Sequence, residues 1–389
     1  LTACGGDSRD APAFTARDSA GIRIVENHAD TAMLRTGWSL SDAPVLTIGG
    51  DDAPEAQQIY QASGALRLPD GRIVVANSGS AEIRVYGSTG ELLATHGRKG
   101  EGPGEFTAPT LVGRVAGDSL IVFDPNPRRA SILTADGGYQ RSYDVGAEGG
   151  GFPVAQGITE DGGLVIGGGM YFSSDQGFPT GLVRPRSRYL VMTPGGDVRA
   201  DLGELPAAEM YARRQGNAFS ASAVPFARVT GYAPAASYIW IGTGDSWEIH
   251  AHTPDGTLAR IVRFDRGLVP QSSALRDAFV EEQVADATDE NQARSVRAAF
   301  AEIPAGPFVP PYQLFRADAL GNLWIGEYLL PGVTQRSWTI VNTEGHAIGR
   351  VTTPPRTLPL EIGYDYVLGL TRDELDVESL TLWRLIRPS

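Results

Sequence analysis

A short β-type run opened by a turn residue recurs six times along this chain, and the recurrence leaves few architectures open. The runs are DGRIVVAN (70–77), GDSLIVFD (117–124), DGGLVIGG (161–168), ASYIWIGT (236–243), LGNLWIGE (320–327) and GYDYVLGL (363–370). β-Branched and aromatic residues dominate them, and Gly, Asp or Asn stands at most openings, as strands bounded by turns require. Three of the intervals are about 45 residues and two are longer.

A second run follows each of five of these: Glu82–Tyr86, Ala130–Leu133, Tyr189–Met192, Trp247–His250 and Trp338–Val341. Each then meets a hairpin-type turn, STGE, ADGG, PGGD, PDGT or NTEG, in which Gly tolerates positive φ. Third runs such as Leu92–Thr95 and Leu258–Val262 close the units. A period near 40–50 residues built from short antiparallel strands predicts an all-β, six-bladed β-propeller. The final unit ends at Leu380–Ile386 with no strand after it, while Ile22–Val25 and Val45–Ile48 precede the first unit. One of the two, with Val45–Ile48 favoured, is expected to complete the last blade and remove a free edge.

Two inserts interrupt the period. The stretches 170–188 and 210–224 are rich in Gly, Arg and Ser and read as loop. In 271–303, Leu275 and Phe279 are four apart, and Val296, Phe300 and Ile303 follow i, i+4, i+7 spacing. That pattern predicts two short helices with an apolar stripe toward the propeller, Asp289 and Gln292 forming a capping box.

With 389 residues and 42% hydrophobic content, a single unit over 21–389 can bury a large core. The net charge of -13 argues against nucleic acid and anionic lipid surfaces as partners. Lys99 is the only lysine, so Schiff-base chemistry has a single candidate. Cys4 is the only cysteine, which excludes an internal disulfide and a thiolate-rich metal site. Leu1–Thr2–Ala3–Cys4 resembles a bacterial lipobox, and 5–20 is small and polar like a tether. The resemblance implies lipidation at Cys4 and a place on the cell envelope, with Gly5 leaning toward the outer membrane. No stretch approaches the roughly 20 apolar residues of a membrane span.

The segment HGRKGEGPGEFTAP (96–109) places Gly97, Gly100, Gly102, Gly104, Phe106 and Pro109 in a pattern that resembles the linker of NHL-type propellers. Ile121 to Arg129 resembles the V-x-D-x-x-N-x-R portion of the same repeat, and weaker echoes lie at 150–153 and 306–311. The order as a whole, including RIVEN at 23–27, resembles bacterial six-bladed propeller lipoproteins from about Gly21 onward. The resemblance implies a fold and names no activity.

Candidate chemistry is sparse. The glycine-rich segment with Arg98 and Lys99 lacks the G-x-x-x-x-G-K-[ST] order of a phosphate loop, and Glu101 and Glu105 add repelling charge. Gly117–Leu120 spells GDSL, yet no D-x-x-H supplies a base for Ser119. His250 and His252 share a strand face but lack an evident third metal ligand. Asn77, Asp124, Asp245, Glu327 and Asp373 follow equivalent runs and should approach one rim, where they can hold a ligand or cap their own turns. Asn126 and Arg128, with the clusters Arg128–Arg129, 184–188 and Arg213–Arg214, supply further polar and basic rim candidates.

The expectation is a non-catalytic module that binds a protein or glycan at the propeller rim, the 271–303 insert included, without a cofactor. The alternative is a metal-dependent hydrolase. Its expectation comes from resembling six-bladed lactonases, in which Glu, Asn and Asp from several blades hold Ca²⁺ at the channel mouth.

Overall fold

The structure is a computed structural model that describes residues 13–28, 37–115, 118–146, 153–171, 179–216, 218–235, 237–285 and 287–388. Cys4 and Gly5, most of the expected tether, Gly117 and residues 150–152 lie outside the described residues.

Among the described residues, six antiparallel sets of four strands follow one another in the chain, the fourth and sixth sets carrying further strands from the N-terminal segment. The first holds Ala62–Arg67, Ile73–Asn77, Glu82–Tyr86 and Leu92–His96. The second holds Thr110–Arg114, Leu120–Asp124, Arg129–Leu133 and Tyr139–Asp144. The third holds Pro153–Ile158, Leu164–Tyr171, Arg186–Met192 and Val198–Pro206. The fourth holds Gly231–Ala235, Tyr238–Gly242, Glu248–His252 and Leu258–Phe264. The fifth holds Tyr312–Ala317, Leu323–Glu327, Ser337–Val341 and Ala347–Thr352. The sixth holds Thr357–Ile362, Tyr366–Arg372, Glu378–Ile386 and, from the other end of the chain, Leu46–Gly49.

The first strand of each sheet lies against the first strand of the next, and that of the sixth lies against that of the first. This ring is a β-propeller. The recurring sequence runs are its second strands, and their near-continuous hydrophobicity has a geometric cause. Successive residues point to opposite faces of a sheet, and both faces are covered. Ile73 and Val75 pack toward the sixth sheet, while Val74 and Ala76 pack toward the second. Trp324 faces the sixth sheet, and its neighbours Leu323 and Ile325 face the fourth. Six apolar clusters result, one in each gap between adjoining sheets.

The five anticipated hairpin turns are present, and Gly90, Gly137, Gly196, Gly256 and Gly345 occupy their positive-φ positions. Leu46–Gly49 closes the last sheet, with Ile48 opposite Leu380, as expected from the unpaired C-terminal run. Ile22–Asn27 instead runs parallel to Leu258–Phe264 on the outer edge of the fourth sheet. Phe14–Ser19 pairs with it, so regular structure begins six residues before the expected end of the tether at Ala20.

The first insert, which reads as loop in the sequence, instead contains a three-stranded sheet of Gly181–Val183, Met210–Gln215 and Ala218–Ala223. Its apolar residues, such as Leu182, Val183, Met210, Tyr211 and Phe219, stand in adjacent pairs or singly among Arg, Ser and Ala, so no regular apolar alternation marks it in sequence. The second insert forms helices α1 (Ser273–Ala285) and α2 (Glu290–Ala301). Asp289 accepts from the Gln292 amide at 2.9 Å, and Gln292 Oε1 accepts from the Thr288 amide at 2.7 Å. That is the anticipated cap, shifted by one residue on its return bond. Phe279 packs its ring 5.8 Å from Phe300 and 5.3 Å from Phe226, and Arg213 Nη2 donates to the Ala299 carbonyl at 3.0 Å. The helices therefore pack onto the first insert as well as the ring.

Candidate functional site: a cavity at the ring mouth

Strand register decides which residues share a face. The end of each second strand pairs with the start of the first strand: Asn77 with Ala62, Gly242 with Gly231, Glu327 with Tyr312. Linkers between sheets and turns after second strands therefore crowd one mouth of the ring. A cavity of about 680 Å³ opens there between the third, fourth and fifth sheets, within the size range of small-molecule sites.

Two bulges shape it. Gln156 is the extra residue where the first strand of the third sheet slips register between Ala155 and Gly157. Gln313 is the extra residue between Tyr312 and Leu314 in the fifth sheet. A bulge re-aims its side chain, so Gln313 and Arg316 both line the cavity although they stand three apart on one strand. Tyr232 enters from the fourth sheet and Tyr189 from the third, their ring centroids 5.6 Å apart. Gly167 makes room for Tyr189, because a Cβ there would sit 2.4 Å from the tyrosine ring.

The charged residue of the cavity lining is an arginine. Arg316 Nε donates to the Pro359 carbonyl at 2.8 Å and Nη1 to the Phe315 carbonyl at 2.9 Å. Arg336 donates through Nη1 to the Glu327 carbonyl at 2.7 Å and through Nη2 to Gln313 Oε1 at 2.7 Å. Neither guanidinium forms an ion pair with a carboxylate among the described residues. Burial pushes both below the ordinary arginine range, and for Arg336 the neighbouring Arg316 adds to the effect. Burial likewise raises the Tyr232 hydroxyl, against the opposing influence of Gln156 and Arg316. The lining combines apolar surface, two phenols, the hydroxyl residues Ser187 and Thr230, two amides and one guanidinium.

Apart from Ser187 in the 184–188 cluster, the polar and basic residues singled out from sequence do not line this cavity. Arg98 pairs with Glu105 at 2.7 Å, and Lys99 bridges to Phe106 through backbone in the linker between the first and second sheets. Asn77 Oδ1 accepts from the Tyr60 amide at 2.7 Å. Asp124 accepts from the Thr107 amide at 2.5 Å and the Ala108 amide at 3.2 Å, while Asn126 donates to the Thr107 hydroxyl at 3.0 Å. Arg128, beside them, has a left-handed backbone with φ 52°. Asp245 is held by Arg184 and Arg228, at 2.9 and 2.8 Å. Glu327 is held by Arg266 at 3.4 Å and Arg350 at 2.7 Å. Asp373 caps its own turn through the Leu375 and Val377 amides. These carboxylates and amides reach the expected face, where they tie turns to linkers and arginines. Among the described residues no group of three His, Cys, Asp or Glu is placed to share a metal ion. His250 is bonded to Glu248 at 2.8 Å, and His252 to the Gly256 carbonyl at 3.3 Å.

Sequence reasoning missed Gln156, Tyr232, Gln313 and Arg316, all on first strands. The available signal was a polar side chain interrupting a short segment just before a recurring run.

The sequence matches no family model and no curated protein. Similar solved structures include a member of the DUF4221 family from Bacteroides vulgatus, at 10% identity over 91% of this chain and 100% of that one, TM-score 0.49. The calcium-binding protein regucalcin from Agrobacterium tumefaciens is 11% identical over 90% of this chain and 96% of its own, TM-score 0.42. Virginiamycin B lyase from Staphylococcus aureus is 10% identical over 84% and 95%, TM-score 0.40. The fold assignment rests on the strand topology described above.

Proposed function

We propose that this chain is a six-bladed propeller acting as a non-catalytic binding module, and that the cavity between the third, fourth and fifth sheets holds a compact, partly apolar ligand. The observation that carries this reading is the pairing of the bulged Gln156 and Gln313 around one concave space with Tyr189 and Tyr232. Such groups hold and orient a ligand through contact and hydrogen bonds. A general base near neutral pH would need a different kind of side chain. In the same proposal, lipidated Cys4 fixes the module to the cell envelope. Mass analysis of the N-terminal peptide from the native host, compared with Cys4→Ala, tests that part.

A thermal-shift screen of small neutral and charged compounds tests the binding claim. Ala208 lies exposed at the cavity wall, so Ala208→Trp should obstruct the space without disturbing the core. Hits that stabilise the wild type should lose at least tenfold in affinity in this variant. Hits indifferent to Ala208→Trp would place binding elsewhere, and chemical conversion of a bound hit would overturn the non-catalytic reading.

A further inference from the structure

We propose that the cavity selects an anion, specifically a carboxylate carried on a compact apolar body, with Arg316 as the group that receives it. This rests on the cavity being the binding site and adds the chemistry of what enters.

Arg316 lines the cavity with two of its donors spent on the Pro359 and Phe315 carbonyls. A guanidinium has five N–H donors in a planar fork. Nη2 and one hydrogen of Nη1 thus remain without a partner among the described residues. The two carbonyls fix the plane of the fork but leave its charge unneutralised. Arg316 is half-buried, so its charge is only partly solvated while it lacks a counter-charge, and Arg336 nearby increases the positive potential instead of relieving it.

Gln313 adds direction. An amide offers one acceptor oxygen and one donor nitrogen. Its Oε1 already accepts from Arg336 Nη2 at 2.7 Å, while its Nε2 donors make no hydrogen bond among the described residues. Arg316 and Gln313 therefore both present donors to the cavity. A carboxylate matches the free edge of a guanidinium with two parallel bonds, which a neutral amide of the same shape cannot reproduce. Leu314, Tyr189 and Tyr232 supply apolar surface for the remainder of the molecule. A compact inorganic dianion would leave that surface uncovered.

The test is titration calorimetry on the full chain at fixed ionic strength, with benzoate, its neutral isostere benzamide, and inorganic phosphate. Benzoate should bind at least tenfold more tightly than benzamide and than phosphate. Arg316→Met should abolish the preference for benzoate while leaving benzamide binding unchanged, and Arg316→Lys should restore part of it. Equal binding of benzoate and benzamide to the wild type would overturn the inference, and this contrast needs no variant to fold. Phosphate binding more tightly than benzoate, or a benzoate preference that survives in folded Arg316→Met, would overturn it too. Neutral compounds blocked by Ala208→Trp, together with no benzoate preference, would remove the anion claim and leave the cavity as the binding site. A benzoate site insensitive to Ala208→Trp would remove both.

Discussion

The Tyr366 hydroxyl donates to Glu361 Oε2 at 2.9 Å, and the same oxygen accepts from the Arg67 amide at 2.6 Å. These bonds join the sixth sheet to the first where the ring closes. The Arg67 guanidinium lies over the Tyr366 ring, 4.9 Å from its centroid. Burial pushes the Glu361 carboxyl up to about 7, although the Arg67 amide, the Tyr366 hydroxyl, Arg114 and Arg67 all oppose the rise. Folding therefore favours the protonated acid. Between its ordinary value of 4.5 and about 7, the folded chain holds a proton that the unfolded chain has lost, so this residue's contribution to stability falls as pH rises. Glu361→Gln keeps the shape and removes the titration. Melting temperatures from pH 5 to 8 should show the variant gaining on the wild type as pH increases, and a constant difference would refute the assignment.

Asp318 should be among the most sensitive carboxylates in the molecule. Its side chain has no exposed surface and pairs with Arg387 at 2.9 Å. It also accepts from the Asn322 amide at 2.9 Å and Trp324 Nε1 at 3.1 Å. Asp318→Ala leaves the largely buried Arg387 guanidinium with only the Tyr364 and Gly363 carbonyls and no counter-charge, and the Trp324 indole N–H without its acceptor. The expected loss is about 3–5 kcal/mol, read from urea unfolding of both proteins.

The segment 96–109 should matter for packing and not for recognition. Gly97 adopts φ 87°, and a Cβ there would meet the Phe106 ring at 2.7 Å. Phe106 is buried between the first and second sheets, and its amide and carbonyl bond to Arg98 and Gly100 at 2.9 Å. Phe106→Ala should cost about 3–5 kcal/mol. Arg98→Ala and Lys99→Ala should each change stability by less than about 1 kcal/mol, since their side chains are at the surface. Denaturation curves of the three variants check the order.

Closure by the N-terminal strand should be energetically important. Ile48 is buried with Ile59, Leu380 and Leu382, and its strand is the outer partner of Glu378–Ile386. Ile48→Ala should cost about 2–5 kcal/mol. Hydrogen exchange should accelerate first in Glu378–Ile386, whereas exchange confined to global unfolding would show that closure is not a separate step.

Much of the fold was legible because second strands are covered on both faces, as Leu323, Trp324 and Ile325 illustrate. Their apolar runs and the glycine turns report burial and backbone geometry directly. First strands were not legible. Segments such as GYAPA and TLPLEI face the ring axis, pair on one side only, and contain Gly or Pro where neighbouring backbones approach. Most of the polar groups of the site sit on these strands. Gln156 and Gln313 reach it through register slips that leave no periodic trace. The carboxylates at the ends of second strands were visible, but a sequence does not say whether Asp124 faces a ligand or the Thr107 amide.

The most direct test of the central claim is a crystal structure of the full chain with benzoate. The account predicts density in the cavity, with the carboxylate on the free edge of Arg316 and the ring beside Tyr232. Density at the Asn77 and Asp124 turns instead, or an empty cavity at a benzoate concentration that saturates binding in solution, would contradict it.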